Sequence, residues 1–369
     1  MAEPSLRVAL AGGGTGGHIV PGLHVLERAH AGGARIEDLV WFMSGRPVEE
    51  RVLGAHDLPG ERVVLRLEPS GGGAPSPPAL ALRTPSACLR ARRALARHRS
   101  DVLLGLGGFT ALPAVLAARS LGIPVVLLEI NAVRGRATRW LSPLAGRVLH
   151  AWRSSLPAGG GGSARARWIG PPVAPGLLEA GEPREEALAA LGFDPRRPLL
   201  CVLGGSQGAA VLNRFVCRHG PALLVGGLQL LHQTGPGRRA EGLDEREAYL
   251  AVEYVDDMER VLRAGTLALC RGGASTLAEI AAVGMPAIVV PYGAHADGHQ
   301  ERNALELGEG ARIRMESALD EGLARELLRL AGSEAASERD RMSRAARAAL
   351  PRDSAGSVIE ELCRACGAS

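Results

Sequence analysis

Residues 271–304 read RGGASTLAEIAAVGMPAIVVPYGAHADGHQERNA. The preceding apolar run, 266–270, predicts a buried parallel strand, and the pair Gly272 and Gly273 predicts a tight turn into a helix. The unpaired N–H groups and the positive dipole end of a helix start favour an anion, and glycine lets a phosphate approach the backbone closely. A second predicted strand, 287–290, ends in a polar loop, which is where open parallel sheets bind ligands. The stretch therefore predicts a phosphate-binding edge in an α/β domain.

Side chains on this stretch suit the rest of a nucleotide sugar. Ser275 and Thr276 add hydroxyl groups beside the glycine turn. Glu279 lies one turn further along the same predicted helix face, where its carboxylate can accept hydrogen bonds from a ribose diol. The polar loop carries four more hydrogen-bonding residues, Asp297, His299, Gln300 and Asn303. Together these residues predict a nucleotide-sugar pocket.

Composition excludes several function classes. The 369 residues suit two domains of roughly 150 to 200 residues each. All 43 basic residues are arginine, which excludes Schiff-base chemistry and a P-loop lysine. A net charge of +4 and an aromatic content of 3% predict no nucleic-acid partner. Cys201 and Cys270 lie in apolar runs, which indicates reduced core thiols, and no apolar run reaches the roughly 20 residues of a membrane span.

A glycine turn also opens the chain. A predicted strand, 6–11, breaks into GGGTGGH at 12–18 before a helix that we expect to start near Pro21. The glycines satisfy the dinucleotide pattern G-x-G-x-x-G, but the second predicted strand, 39–43, ends in Ser44 and Gly45 where that fold places an acid. Because Arg46 follows, an NADP oxidoreductase stays an alternative at this point.

Strand and helix patterns alternate along both halves of the chain, which predicts doubly wound parallel sheets. Further strands are expected at 62–67, 101–106, 124–128, 147–150, 198–203, 228–232 and 249–255. A Pro/Gly linker, 170–176, separates a first domain, 1–169, from a second, 170–350, and for the terminal helix in 351–369 we consider packing back on the first domain. Gly-rich runs at 69–78 and 159–163 are expected to be surface loops.

The helix predicted at 79–98 combines leucines with many arginines: Leu80, Leu82, Leu89, Arg83, Arg90, Arg92, Arg93 and Arg97, with Arg99 just beyond. One interpretation is an ordinary surface helix with a solvated basic face. The other is a helix that docks on an anionic membrane surface.

More motifs follow in a fixed order: GLGGF at 105–109, EINA at 129–132, GGSQGA at 204–209 and YVDDM at 254–258. Each glycine turn alone is a weak signal, but their order and spacing together are specific. Over nearly its whole length the chain resembles the MurG family of glycosyltransferases, in glycosyltransferase family 28. The resemblance implies the glycosyltransferase-B fold, an α/β architecture in which two Rossmann-like doubly wound domains face a cleft, and it implies no cofactor and no metal.

The resemblance also implies an activity. Members of this family move N-acetylglucosamine from UDP-GlcNAc, with inversion, to the muramyl sugar of undecaprenyl-pyrophosphoryl-MurNAc-pentapeptide, which converts lipid I to lipid II. The implied process is peptidoglycan synthesis, hence cell wall biogenesis, cell shape, the cell cycle and cell division. The implied location is peripheral, on the cytoplasmic face of the cell membrane, which is the inner membrane in bacteria that have two.

Matched positions imply roles in binding UDP-GlcNAc. Thr15, Gly16, Gly17 and Asn131 would contact the donor or line the cleft, and Gln300 would read the sugar's hydroxyls. Val255 would meet the uracil edge and Glu279 the ribose. The diphosphate and nucleoside would be held by Ser206 and by Ala274, Ser275, Thr276, Leu277 and Ala278. We interpret Asp256 and Asp257 as a helix cap and not as a cation site.

Two residues are candidates for the catalytic base. His18 stands at the mouth of the first glycine loop, and an imidazole has a suitable pKa. Its alternative role is only to hydrogen-bond the loop or an acceptor phosphate. Glu129, just past a predicted strand end, is the second candidate, with a turn or cap residue as its alternative role.

The chain departs from the family pattern at several positions. Ala174 and Ala210 stand where the family carries or often carries an arginine, and Leu128 and Ile130 replace a histidine and a glutamine. Arg214 or Arg271 are candidates to compensate. The departures keep three alternatives open: a related glycosyltransferase with another lipid acceptor such as diacylglycerol, a UDP-sugar 2-epimerase, and a catalytically weak UDP-sugar-binding subunit.

Overall fold

A computed structural model describes residues 4–14, 16–32, 34–54, 56, 60–67, 77–157, 165–238, 248–293, 298–351 and 353–367. Thr15, Asp297, most of the 69–78 run and the 159–163 run lie outside the described residues. Contacts divide the chain into two compact units. The N-terminal unit comprises Met1–Pro175 and Arg352–Ser369, and the C-terminal unit comprises Gly176–Pro351.

The N-terminal unit is built on a seven-stranded parallel sheet. Its strands are β1 (Ser5–Ala11), β2 (Arg35–Met43), β3 (Glu61–Val64), β4 (Val102–Gly105), β5 (Val125–Glu129), β6 (Arg147–His150) and β7 (Ala166–Trp168), in the order β3-β2-β1-β4-β5-β6-β7. The helices between them are α1 (Gly16–His30), α2 (Pro47–Gly54), α3 (Pro77–Arg97), α4 (Ala111–Ser120) and α5 (Arg136–Leu141). Strands β4 and β5 are continuous apolar runs because helices cover both faces of the sheet, and every residue in both is buried.

The C-terminal unit repeats this architecture with six parallel strands. They are β8 (Leu199–Leu203), β9 (Gln229–Gln233), β10 (Tyr249–Val252), β11 (Leu267–Cys270), β12 (Ala287–Val289) and β13 (Ala311–Ile313), in the order β10-β9-β8-β11-β12-β13. The helices are α6 (Arg184–Ala190), α7 (Ala210–Val225), α8 (Met258–Ala264), α9 (Ala274–Val283), α10 (His299–Leu305), α11 (Glu321–Ala331) and α12 (Ala336–Ala348). The predicted pair of doubly wound α/β sheets is confirmed.

A strand-order reversal marks each sheet. It falls between β1 and β4 in the N-terminal unit and between β8 and β11 in the C-terminal unit. Such a reversal leaves a crevice at the carboxyl ends of the two strands, because the following helices leave on opposite faces. The glycine turns at 12–14, 105–108, 204–208 and 272–273 follow these four strands. The fold therefore places two glycine turns side by side in each unit.

The last helix, α13 (Ser354–Cys366), belongs to the N-terminal unit. It packs on α1 and on strands β4 to β6 through Val358, Ile359 and Leu362, all buried. Glu361, also buried, accepts hydrogen bonds from Arg147 and Arg167 on β6 and β7. These contacts attach the end of the chain to its first sheet.

The sequence patterns missed or misplaced a few elements. The first helix begins at Gly16 and not near Pro21, which the helix accommodates within its second turn. Residues 320–350 form two helices, because extended backbone at Gly332 (φ −65°, ψ 159°) ends α11. Strands β7 and β13 were not predicted, since each has only three residues, none of them fully buried.

No helix among the described residues is both long and apolar enough to cross a membrane.

Candidate functional site

The first glycine loop joins β1 to α1 and lies against two neighbouring segments. The indole Nε1 of Trp41 donates to the carbonyl of Gly12 at 3.0 Å. A side chain on Gly12 would come within 2.6 Å of the carbonyl oxygen of His18, and one on Gly13 within 2.3 Å of the Glu49 carboxylate. Glycine is therefore required at both positions by close packing.

Glu49, on α2, holds this loop, and the sequence analysis missed it. Its carboxylate is fully buried and accepts from the N–H of Gly14 (2.5 Å), from the N–H and hydroxyl of Ser44 (3.0 and 2.8 Å), and from the N–H groups of Gly45 (2.5 Å) and Arg46 (2.9 Å). A proline at the first helical position with a glutamate two residues later is a helix-start signal that was readable locally. The contact with Gly14 was not, because it spans 35 residues of chain.

Arg46, in the turn between β2 and α2, also binds the first glycine loop. Its Nη1 donates to the carbonyl of Gly14 at 3.0 Å. Arg46, which kept the NADP alternative open, thus binds the protein's own loop.

His18 lies beside the second glycine turn of the N-terminal unit. A side chain on Gly107 would meet the imidazole Cδ2 at 3.0 Å and Nε2 at 3.2 Å, and one on Gly108 would meet the carbonyl of Gly13 at 2.8 Å. Both glycines have positive φ, 95° and 75°. The ring of His18 therefore lies against the backbone of the GLGGF motif at Gly107.

Glu129, the second base candidate, is buried at the end of β5. Its carboxylate accepts from the N–H of Asn131 at 3.0 Å and from the N–H of Gly135 at 2.7 Å. These bonds close the loop that precedes α5 and place Asn131 at the carboxyl edge of the sheet. The carboxylate of Glu129 therefore stabilises the loop that precedes α5.

His150 ends β6 directly beside Glu129 in the strand register. Its Nδ1 lies 2.9 Å from the hydroxyl of Ser155. Burial, with the positive charge of Arg134, lowers the pKa of His150 to about 4. This edge therefore carries a neutral imidazole at neutral pH.

In the C-terminal unit the turn after β8 carries Ser206, half-buried, between Gly205 and Gly208. A side chain on Gly208 (φ 66°) would come within 1.9 Å of the carbonyl oxygen of Thr234. Behind the turn, Asn213 donates to that same carbonyl at 3.0 Å. The turn thus packs on a segment that an amide side chain holds.

The support behind this turn is a buried neutral network. The Nε2 of His232 lies 3.0 Å from Oδ1 of Asn213, and its Nδ1 lies 3.1 Å from the hydroxyl of Tyr249. Burial lowers the pKa of His232 to about 4, so the ring is neutral at neutral pH.

The second glycine turn of this unit opens α9. The main chain at Gly272 is fixed by two side chains of α10, Gln300 and Asn303. Oε1 of Gln300 accepts from the N–H of Gly272 (3.3 Å) and of Tyr292 (2.9 Å), and Asn303 donates to the carbonyl of Gly272 at 3.0 Å. The hydroxyl of Ser275, in the first turn of α9, is buried and has no hydrogen-bond partner among the described residues.

The other predicted binding residues lie around these turns. Ala274, Leu277 and Ala278 are buried in α9 and Thr276 is half-buried. Glu279 is buried on the same helix, 7% exposed. Val255 is buried in the loop after β10. Asp257 accepts from the N–H of Arg260 at 2.9 Å, which confirms its interpretation as a helix cap.

The candidate compensating arginines differ in their surroundings. Arg271 donates to the carbonyls of Val290 and Pro291 and pairs with Glu316 at 2.7 Å. Its guanidinium thus tethers the loop after β12. Arg214 is exposed on α7, one turn beyond Ala210, which is the exposed first residue of that helix. Ala174, in the linker, is half-buried.

The described residues contain no cluster of three or more His, Cys, Asp or Glu side chains that could hold a metal ion.

A cavity of about 950 Å³ in the C-terminal unit lies at the opposite edge of its sheet. Pro198, Thr266 and Pro286, which precede β8, β11 and β12, line it. Arginines around it cap helix ends: Arg339 donates to the carbonyls of Leu330 and Gly332. Because helix C-termini carry partial negative charge, these arginines stabilise the fold and do not indicate an anion site.

Comparison with family models matches both units. Residues 8–150 match the glycosyltransferase family 28 N-terminal domain, and residues 199–354 match the glycosyltransferase family 28 C-terminal domain.

Curated relatives carry one activity name, UDP-N-acetylglucosamine–N-acetylmuramyl-(pentapeptide) pyrophosphoryl-undecaprenol N-acetylglucosamine transferase. The relative from Sorangium cellulosum is 37% identical over 97% of this chain and 88% of its own length. The relative from Methylococcus capsulatus is 37% identical over 98% of this chain and 99% of its own length.

Solved structures share the architecture. The crystal structure of Acinetobacter baumannii MurG covers 98% of this chain and 99% of its own, with a TM-score of 0.68 and 25% identity. A putative UDP-N-acetylglucosamine 2-epimerase from Listeria monocytogenes covers 98% of this chain and 96% of its own, with a TM-score of 0.69 and 16% identity, a likeness of fold alone.

Proposed function

Since the chain belongs to the UDP-N-acetylglucosamine–N-acetylmuramyl-(pentapeptide) pyrophosphoryl-undecaprenol N-acetylglucosamine transferases of glycosyltransferase family 28, we propose that it catalyses this transfer. It is an N-acetylglucosaminyltransferase of peptidoglycan synthesis, which moves the sugar from UDP-GlcNAc to lipid I. The observation that carries this conclusion is the 37% identity over nearly the whole chain. The NADP alternative is wrong, because the family differs and Arg46 binds the carbonyl of Gly14.

The donor fits the C-terminal unit. The buried hydroxyl of Ser275 at the start of α9, which has no hydrogen-bond partner within the described part of the chain, would donate to a diphosphate oxygen, where the helix dipole adds attraction. Glu279, one turn on, would accept from the ribose hydroxyls, and Ser206 would contact the diphosphate. Because Oε1 of Gln300 is occupied by the loop, its amide nitrogen is the group that would meet the sugar.

The N-terminal unit would supply the base. In the proposed step the acceptor hydroxyl loses its proton to His18 while its oxygen forms a bond to C1 of N-acetylglucosamine. The bond between C1 and the diphosphate oxygen breaks, UDP leaves, and the configuration at C1 inverts. The N-termini of α7 and α9 would stabilise the charge that grows on the diphosphate without a metal.

One experiment separates this function from its alternatives. The purified protein is incubated with UDP-GlcNAc, with and without a short-chain lipid-linked muramyl-pentapeptide, and UDP release is measured. We expect release only with that acceptor. Release with diacylglycerol instead would indicate another lipid acceptor, conversion of the donor alone an epimerase, and UDP binding without turnover a binding subunit.

A surface of the N-terminal unit supports peripheral membrane association as part of this proposal. Helix α3 packs on α4, and α4 on α5. Their outer sides expose Leu82 (83%), Leu89 (49%) and Trp140 (67%). Exposed arginines on the same helices include Arg93, Arg119 and Arg139. Apolar side chains among arginines are the pattern that binds anionic lipid surfaces, here the cytoplasmic face of the cell membrane.

Not every arginine of α3 is available for lipid. Arg92 donates to the carbonyl and hydroxyl of Ser120, and Arg97 pairs with Glu61 at 2.8 Å. A sedimentation assay with anionic and uncharged vesicles tests the surface: Leu82→Ser with Trp140→Ser should reduce binding to anionic vesicles. Val225→Ser, which changes an apolar residue of the C-terminal unit that is 90% exposed, is the matched control. Equal binding by all three proteins would exclude the surface.

A further inference from the structure

Glu49 and Arg46 lie outside every residue assigned to donor, acceptor or base, yet their contacts converge on the loop that precedes His18. The fully buried carboxylate of Glu49 accepts five hydrogen bonds at 2.5 to 3.0 Å, one from the N–H of Gly14 in that loop and four from residues 44–46 in the turn after β2. Buried carboxylates are costly unless fully hydrogen-bonded, so the arrangement holds a specific geometry.

The contacts form a continuous path to the imidazole. Glu49 fixes the N–H of Gly14 and Arg46 fixes its carbonyl, so both sides of that residue are held. The neighbouring residue, Gly13, packs through its carbonyl against Gly108. The ring of His18 rests on Gly107, next to Gly108. A shift of the loop at Gly14 therefore moves the backbone that His18 contacts.

The hydrogen bond from the N–H of Gly14 to Glu49 also bears on whether this loop can bind an anion. In dinucleotide-binding folds, N–H groups of the first glycine loop receive a phosphate. Here the N–H of Gly14 already donates to a carboxylate of the protein itself. The N–H of Gly14 is therefore occupied by a group of the protein itself.

We propose that Glu49 and Arg46 are positioning residues for the transfer reaction, which set the first glycine loop and through it the imidazole of His18. This proposal rests on the proposed function. It adds no group that touches substrate; both residues act through the loop.

Arg46 gives the decisive variants, because its side chain is only half-buried and its removal leaves the core intact. Arg46→Ala should lower kcat about tenfold or more, with the KM for UDP-GlcNAc within about twofold of wild type. Arg46→Lys, which can still donate to the carbonyl of Gly14, should recover part of that loss. Arg51→Ala, which changes an exposed arginine of the helix that follows, is the matched control and should leave kcat unchanged.

The split between kcat and KM, taken together with the folded fraction from urea unfolding, separates positioning from loss of folded protein. A positioning role lowers kcat while the folded fraction stays that of the wild type. A smaller folded fraction would lower the apparent kcat only in proportion to that fraction. Glu49→Gln replaces one carboxylate oxygen, which accepts from N–H groups, with an amide NH2, which donates. This variant should lose more activity than Arg46→Ala if it folds.

The outcomes are distinct from those of the function itself. Absence of acceptor-dependent UDP release in the wild type would reject the proposed function. An active wild type with Arg46→Ala equal to Arg51→Ala in kcat would reject the positioning role.

Discussion

The two units hold their glycine turns by different chemistry. In the N-terminal unit a buried carboxylate, Glu49, binds the first loop directly. In the C-terminal unit neutral amides do this work: Asn213 holds the segment under the turn after β8, and Gln300 and Asn303 hold the turn before α9. The folds are alike, and we propose that the difference reflects the ligands that each unit accepts.

A donor diphosphate bound at the C-terminal turns would explain this difference. Two unit charges 4 Å apart interact by about 4 kcal/mol at an effective dielectric constant of 20, so a carboxylate beside the turn would repel the donor. Amides fix the backbone without adding charge. In the N-terminal unit the carboxylate of Glu49 is fully buried and accepts five hydrogen bonds from the protein. The comparison yields predictions for each unit, beginning with the one that should have the largest effect.

His18→Ala tests the chemistry assigned to the N-terminal unit. A general base contributes about 10²- to 10⁴-fold, so kcat should fall by that factor while the KM for UDP-GlcNAc changes little. Steady-state UDP release measures both constants. His30→Ala, at the exposed end of the same helix, is the control and should retain activity. Near wild-type turnover in His18→Ala would remove the base from this loop and leave Glu129 as the candidate to test.

Local sequence signals predicted the strands and the glycine turns well, because an apolar run or a glycine pair carries its meaning within a few residues. The strand over 147–150 has the predicted bounds, and the terminal helix expected within 351–369 is α13. The alternation of these elements was enough to give the two doubly wound sheets.

The supports of the turns could not be predicted in the same way. Glu49 reaches Gly14 across 35 positions, and Asn303 reaches Gly272 across 31. Which backbone group a side chain meets depends on how helices pack on the sheet, and no local pattern encodes that. Ser275, Thr276 and Glu279 were predicted from the motif after β11, whereas Ser206 and Val255 were predicted only through the family resemblance. The roles of all of them stay predictions until a ligand is measured.

Two glycines in the turn after β8 test how that turn packs on the rest of the C-terminal unit. Gly205 and Gly208 both have positive φ, 78° and 66°, but only Gly208 lies against backbone, where an added side-chain carbon would be 1.9 Å from the carbonyl oxygen of Thr234. Alanine at either position costs roughly 1–2 kcal/mol of conformational strain, and overpacking at Gly208 adds about 1–3 kcal/mol. Urea unfolding should show the larger loss of stability in Gly208→Ala, and calorimetry with UDP the larger loss of affinity. Equal losses in the two variants would contradict the packing seen under the turn.

The neutral network behind the turn predicts a pH dependence of stability. The pKa of His232 is lowered from 6.5 to about 4, so the unfolded chain binds its proton more readily. Its stabilising effect is complete above pH 6.5 and is lost as the pH falls toward 4, by up to about 3 kcal/mol. In His232→Gln, which does not titrate, the free energy of unfolding should therefore fall less over this range.

Urea unfolding at several pH values between 7 and 4 measures the effect. His24 and His150 in the N-terminal unit, whose pKa values are also lowered to about 4, keep part of the acid sensitivity in every variant. His30→Gln, which changes an exposed histidine, is the control. If the pH dependence in His232→Gln equalled that of the wild type, the ring of His232 would not be buried in the neutral form in the wild-type protein.

Ala210→Arg tests whether the C-terminal turn, which uses no carboxylate, gains from an added cation. Ala210 is exposed at the first position of α7, directly after the glycine turn that carries Ser206. A charge-assisted hydrogen bond to the diphosphate contributes about 1.5 to 3 kcal/mol, so UDP should bind about 10- to 100-fold more tightly. Calorimetry with UDP measures this, and Ala210→Gln, similar in length but uncharged, should show little of the gain. If arginine and glutamine have equal effects, the start of α7 does not contact the diphosphate, and the donor site is centred on α9 alone.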